Sequence, residues 1–192
     1  MRKTLLLILA MLLIASCAKN PFSARDSEEP SEAAGTFVPP TSPEIVLENL
    51  RLAYEEMVIG NYIECLDSSF TFVFDFIEGS LVDTSWDQTV EINLTENLFA
   101  DFRAREANRK ISVDFFLQAE QQDVLLDSAA MMIRSYLVTV QDSSGAVVET
   151  YEGVAQFDLV EAAFNFWSLA RWEDLHQATD TPSWADLKNS YR

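Results

Sequence analysis

The stretch that most constrains this chain runs from Met131 to Asp174. Across Met132–Val140, and again across Val147–Leu159, apolar and polar residues alternate. A period of two puts every second side chain on one face of an extended segment. Between them lies Asp142-Ser143-Ser144-Gly145, a hairpin loop in which glycine supplies the positive φ that the reversal demands. Phe166–Trp172 reads as one more strand. Strands this long and half apolar are not stable alone, so the rest of the chain has to pair with them or cover their apolar face.

The residues upstream supply those covers. Ser42, Pro43 and Glu44 form a helix start, with a cap, a first-turn proline and an acid at the positive end of the dipole. Val46, Leu47, Leu50, Tyr54 and Met57 recur at helical spacing, and Gly60 and Asn61 read as the stop. A short second helix carries Tyr62, Ile63, Cys65 and Leu66, with Cys65 a buried thiol on its apolar face. Phe70, Phe72 and Phe74 alternate with Thr71 and Val73 in a strand closed by Asp75. A third helix is predicted with Thr84 or Ser85 as cap, Trp86 at its head, and Val90, Leu94, Leu98, Phe99 and Phe102 along one face. Ile111, Val113, Phe115 and Leu117 mark a further strand, and Thr181-Pro182-Ser183 opens a tail helix holding Trp184 and Leu187.

The N-terminus reads as an address. Arg2 and Lys3 precede an apolar run from Leu5 to Ile14, which is shorter than the about 20 residues a membrane-spanning helix needs. Ile14, Ala15, Ser16 and Cys17 resemble the bacterial lipobox, which implies that Cys17 is acylated and becomes the mature N-terminus. Acyl chains add about 0.8 kcal/mol of membrane attachment per buried methylene, so more than one chain anchors stably. Ala18 stands where an aspartate would, by resemblance to the bacterial sorting rule, favour the inner membrane. The expected place is therefore the cell envelope, and the outer membrane in an organism that has one. From Ala18 to Ser42 the chain is rich in Ser, Glu, Pro and Ala, a composition that forms a tether rather than a core. The expected organisation is a signal peptide over residues 1–16, a lipidated cysteine and tether over 17–42, and a single domain over 43–192.

The formal charge of −18, from 31 acidic and 13 basic residues, repels phosphate backbones, and no nucleic acid partner is expected. His176 is the sole histidine, so a histidine-based metal cluster is excluded. No phosphate-binding glycine loop, nucleophile elbow or paired-cysteine motif occurs. Neither a metal nor a cofactor is expected.

Helices followed by a long antiparallel sheet make an α+β plan. The run Ala53, Tyr54, Gly60, Asn61, Tyr62 and Leu66 before Phe70, followed by Gly153, Ala155 and Phe157 on one strand and Trp167, Leu169 and Trp172 on the next, resembles the NTF2-like superfamily. That group includes ketosteroid isomerase, scytalone dehydratase and the SnoaL-type proteins. The resemblance covers residues 43 to 175 and implies a cone: a curved antiparallel sheet with helices packed on its concave face, bent round a pocket. Gly153, Ala155, Phe157, Trp167 and Trp172 are the candidate pocket-lining residues, with Phe164 and Phe166 beside them. By the same resemblance, Tyr54 and Asp75 stand roughly where that fold places a catalytic pair, with Asp158 as a third acid. A solvated aspartate that merely ends a strand is the competing reading of Asp75. The expected function is a lipid-anchored, non-catalytic module that binds a small apolar ligand or a protein partner. The alternatives are a small-molecule isomerase or lyase using Tyr54 and Asp75, and a structural envelope protein that associates, for instance as a homodimer, through its sheet.

Overall fold

The computed structural model describes residues 35–74, 84–104, 109–118, 121–175 and 181–192. The elements described below belong to one compact unit, Ala33–Arg192. The leader, Cys17, Asp75 and His176 lie outside the described residues.

Helix α1 spans Pro43–Glu55, starts at extended Ser42 and buries Val46, Leu47, Leu50, Ala53 and Tyr54, the face read from the spacing. Buried Asn49 on the same helix ties down the preceding segment, accepting from the Val38 N–H at 2.9 Å and donating to the Val38 carbonyl at 2.6 Å. The stop is not at Gly60. Met57 turns the chain at φ 55°, and Gly60 and Asn61 lie inside helix α2, Ile59–Glu64. A left-handed residue ends a helix whatever its type, so the glycine marker was misleading. Cys65 is buried, and its thiol, bonded to the Asn61 carbonyl, is pushed up to about 12 by burial.

Strand β1 (Leu66–Phe74) buries Phe70, Phe72 and Phe74. Residues 85–87 form a short strand, β2, rather than the head of a helix, with Trp86 registered opposite Phe72 and stacked on it at 4.7 Å. Cross-strand stacking outweighs the cap propensity of Ser85. Asp87 performs the capping for helix α3 (Gln88–Ala104), accepting from the Val90 N–H at 3.0 Å.

Strands β3 (Lys110–Leu117), β4 (Val124–Leu125), β5 (Ala129–Gln141), β6 (Val147–Glu161) and β7 (Trp167–Leu175) complete the described sheet. Its order is β2-β1-β7-β6-β5-β3, with β4 also on β5. The hairpin between β5 and β6 turns at Gly145 (φ 82°), where Asp142 Oδ1 accepts from the Ser144 and Ala146 N–H groups. Register shifts between Leu66 and Thr71 on β1 and between Asp158 and Leu159 on β6 insert bulges, the local device that bends a sheet. The sheet is mixed rather than wholly antiparallel, because β1 lies parallel to β7. Two strands more than ninety residues apart carry no local signal of their relative direction.

Helix α4, Trp184–Asn189, closes the chain. Ser183 and Asp186 form a reciprocal capping box at its start, the arrangement that satisfies two otherwise unpaired amide donors.

Candidate functional site

The inner face of the sheet brings together Ala155 and Phe157 of β6 and Trp172 of β7, all fully buried. Gly153 lies on the same face, under a neighbour: it faces Tyr136 across β5–β6, and a Cβ there would stand 2.4 Å from the tyrosine oxygen. Its missing side chain makes room for Tyr136, a close approach that glycine permits. Trp167 is only half-buried, at the start of β7. Phe164 is 89% exposed at φ 67° and Phe166 is also exposed, so neither lines the interior. The left-handed pair Phe164 and Asn165 between β6 and β7 turns these rings outward.

The centre of the cone is occupied by α4. Trp184 is fully buried, with ring centroids 4.9 Å from Tyr54, 4.6 Å from Trp172, 5.3 Å from Tyr136 and 6.1 Å from Phe115. Its helix is held by Tyr136 and Asp174. The Tyr136 hydroxyl donates to Asp174 Oδ1 at 2.6 Å and accepts from the Trp184 N–H at 2.8 Å, while the Ala185 N–H donates to Asp174 Oδ2 at 2.6 Å. Burial holds the Asp174 carboxyl above its ordinary range, and these hydrogen bonds and the charge of Lys188 pull against it.

Beside Trp184 lies a buried ion pair. Glu91 on α3 and Lys188 on α4 are both inaccessible to solvent, with Lys188 Nζ 2.7 Å from Glu91 Oε1. Three further groups donate to the same carboxylate: the Tyr62 hydroxyl, Trp86 Nε1 at 2.5 Å and the Thr95 hydroxyl at 3.3 Å. The ammonium also sits over two rings, 3.7 Å from the centroid of Trp172 and 3.9 Å from that of Phe72. Burial pushes the Lys188 ammonium below the ordinary lysine value, against the attraction of Glu91 and Asp174.

Tyr54 reaches this interior as the sequence suggests, but its hydroxyl makes no hydrogen bond among the described residues. Burial, followed by the negative charge of Glu91, pushes its ionisation far up. Asp158 is not its partner. It lies on the outer face, half-exposed, at 3.3 Å from Arg171. Among the described residues the interior acids are Glu91 and Asp174, neither of which the spacing of the fold resemblance singles out. A signal was present: Glu91 and Thr95 interrupt the apolar face Leu94, Leu98, Phe99 and Phe102 of α3, and Lys188 follows Trp184 by one helical turn. Among the described residues no group of three or more His, Cys, Asp or Glu side chains is placed to hold a metal ion. No described helix is long and apolar enough to cross a membrane.

Outside the cone a groove of about 390 Å³ is lined by Glu44, Glu48, Arg51, Asp114, Phe115 and Arg134 among others. Its arginines are already engaged, Arg51 with Glu48 and Glu55, Arg134 with Asp123. A smaller groove of about 230 Å³ along β4, β5 and β6 is mostly apolar, with Val124, Leu126, Met131 and Leu159 in its walls.

No family model matches the sequence, and no curated protein matches it. Solved structures do. A conserved protein from Planctomyces limnophilus superposes with a TM-score of 0.52 at 17% identity, covering 69% of this chain and 91% of that one. The beta subunit of the benzoate 1,2-dioxygenase from Burkholderia mallei superposes with a TM-score of 0.55 at 9% identity, covering 70% and 87%. A nuclear transport factor 2 (NTF2-like) superfamily protein from Salmonella enterica aligns at 11% identity with a TM-score of 0.49, covering 70% and 88%. The fold is α+β, and it is shared with the Planctomyces protein and the dioxygenase beta subunit. At these identities the likeness is one of architecture and says nothing of chemistry.

Proposed function

We propose that this is a lipid-anchored envelope protein whose NTF2-like domain binds a ligand or partner and performs no catalysis. One observation carries the non-catalytic half: the interior that would hold a substrate holds Trp184 and Lys188 of the chain's own C-terminal helix. Both buried acids there among the described residues are committed, Glu91 to Lys188 and three neutral donors, Asp174 to Tyr136 and the start of α4. A general base needs a proton acceptor within reach of its substrate, and each of these acceptors is occupied. The anchor rests on the leader and on Cys17 with its neighbours Ile14, Ala15 and Ser16. Metabolic labelling with palmitate tests it: the wild-type chain takes up label and sediments with membranes, and Cys17→Ala loses both. Label retained in Cys17→Ala overturns the anchor.

A second reading, association through the sheet, is favoured by the apolar side chains left in solvent along its rim, Leu117, Leu125 and Leu126. A strictly monomeric sedimentation coefficient at rising concentration overturns it.

A further inference from the structure

Lys188 is held the way a bound organic cation is held. Two aromatic faces lie within 4 Å of its nitrogen and a carboxylate lies at 2.7 Å, the combination that recognises ammonium groups away from water. The two nearest rings and the carboxylate belong to elements other than α4, and Trp184 of α4 lies farther off, at 5.9 Å. Phe72 comes from β1 and Trp172 from β7, while Glu91 is oriented by Tyr62 of α2, Trp86 of β2 and Thr95 of its own helix. The carboxylate is therefore preorganised by three neutral donors whether or not the lysine is present. Burying an ammonium and a carboxylate together is weak evidence for stability, since an apolar pair of similar volume does as well or better. A second, independent feature points to a ligand. Tyr54 Oη and Trp172 Nε1 of the lining, both fully buried, make no hydrogen bond among the described residues, and neither do Trp184 Nε1 and Lys188 Nζ of α4 itself, although a buried polar group left unmatched is costly. The occupant in place thus balances the charge of the site and leaves polar atoms of both the lining and α4 unmet.

We propose that the cone is a binding site for a small primary alkylammonium compound carrying a hydrogen-bond acceptor, and that Lys188 is a resident pseudo-ligand which such a compound displaces together with α4. This rests on the reading of the domain as a binding module. The acceptor on the ligand meets Tyr54 and Trp172, and its ammonium takes the position of Nζ between Phe72, Trp172 and Glu91. The element displaced is short: α4 is a six-residue helix, held by Asp174, Tyr136 and its own capping box together with the buried Trp184 ring and the Lys188–Glu91 pair.

The test uses the full chain. Lys188→Ala removes the cation and leaves a space shaped for propylammonium. Propylammonium chloride is expected to raise the melting temperature of this variant saturably, at a concentration about tenfold or more below that at which 1-propanol acts, and Glu91→Gln in the same background is expected to abolish the effect. In the wild-type chain, n-butylammonium is expected to speed hydrogen exchange at the Trp184 and Ala185 amides, which bond to Tyr136 and Asp174, while sodium chloride at equal ionic strength does not. Equal rescue by the alcohol overturns the cation site. Amides that are unmoved or slowed by butylammonium overturn the displacement, and this second measurement needs no variant to fold. Neither outcome touches palmitate uptake at Cys17, so failure here is distinguishable from failure of the anchored-module reading.

Discussion

Around Glu91 the molecule buries an ammonium and a carboxylate beyond the reach of water, whereas along the rim of the sheet Leu117 (77% exposed), Leu126 (65%) and Phe164 stand in solvent. The two regions belong to the same sheet but to different strands of it: Phe72 and Trp172 of β1 and β7 line the first, and the second lies at or just past the ends of β3, β4 and β6. Hydrogen bonds tie the rim to the connections beside it, from Leu126 N–H to the Ala129 carbonyl, from Glu161 N–H to the Ser128 carbonyl between β4 and β5, and from Trp167 N–H to the Pro40 carbonyl ahead of α1. Stability alone explains neither region. Charge in the core is disfavoured unless paired and hydrogen-bonded, and scattered apolar residues on a surface are ordinary until they gather along one edge. The interior therefore has to be dismantled in matched pairs to be understood, while the rim can be altered one residue at a time.

The largest effect is expected inside. Glu91→Ala strands the Lys188 ammonium among aromatic rings and should destabilise the domain by about 3–5 kcal/mol in urea unfolding. The double variant Glu91→Met/Lys188→Met should recover only part of that loss, because it removes both charges and keeps the volume but leaves Tyr62, Trp86 and Thr95 without their acceptor. A double variant as unstable as the single one would mean that these three hydrogen bonds and the shape of the side chains, not the charge pair, hold the interior together. Next comes Gly153→Ala, whose new methyl meets the hydroxyl end of Tyr136, itself fixed by Asp174 and the start of α4. A loss of about 1–3 kcal/mol in thermal unfolding is expected from this overpacking, and no loss would show that Tyr136 is free to move. The smallest effect belongs to the rim. Leu125→Ser with Leu126→Ser should change stability by no more than about 0.5 kcal/mol, read in the same urea experiment. A large loss would show that these leucines pack against something in the chain and would erase the contrast between the two regions.

Much of the architecture was legible beforehand. The alternation in β5 and β6, the Asp-Ser-Ser-Gly turn and the apolar face of α1 each depend on neighbours a few residues apart, and each stands where the spacing places it. Tyr54, Ala155, Phe157 and Trp172 do meet in the interior. Local rules misled where a tertiary partner outweighed a propensity. Gly60 looked like a helix stop, but Met57 makes the turn, and Ser85 looked like a cap, but Trp86 is drawn into a strand by its stack on Phe72. Phe164 and Phe166 looked like lining residues, until a pair of left-handed residues turned them outward.

The sequence by itself determined the periodicities, hence the α+β class, the hairpin and the faces that go inward, because those follow from side-chain order along a local backbone. Only the tertiary structure decided that β1 runs parallel to β7, that Gly153 exists to admit Tyr136, and that Glu91 meets Lys188. Residues 91 and 188 lie on separate helices nearly a hundred residues apart along the chain, and no pattern in the chain links them. Their pairing arises because the curved sheet leaves one interior, and the last helix brings both a tryptophan and a positive charge into it.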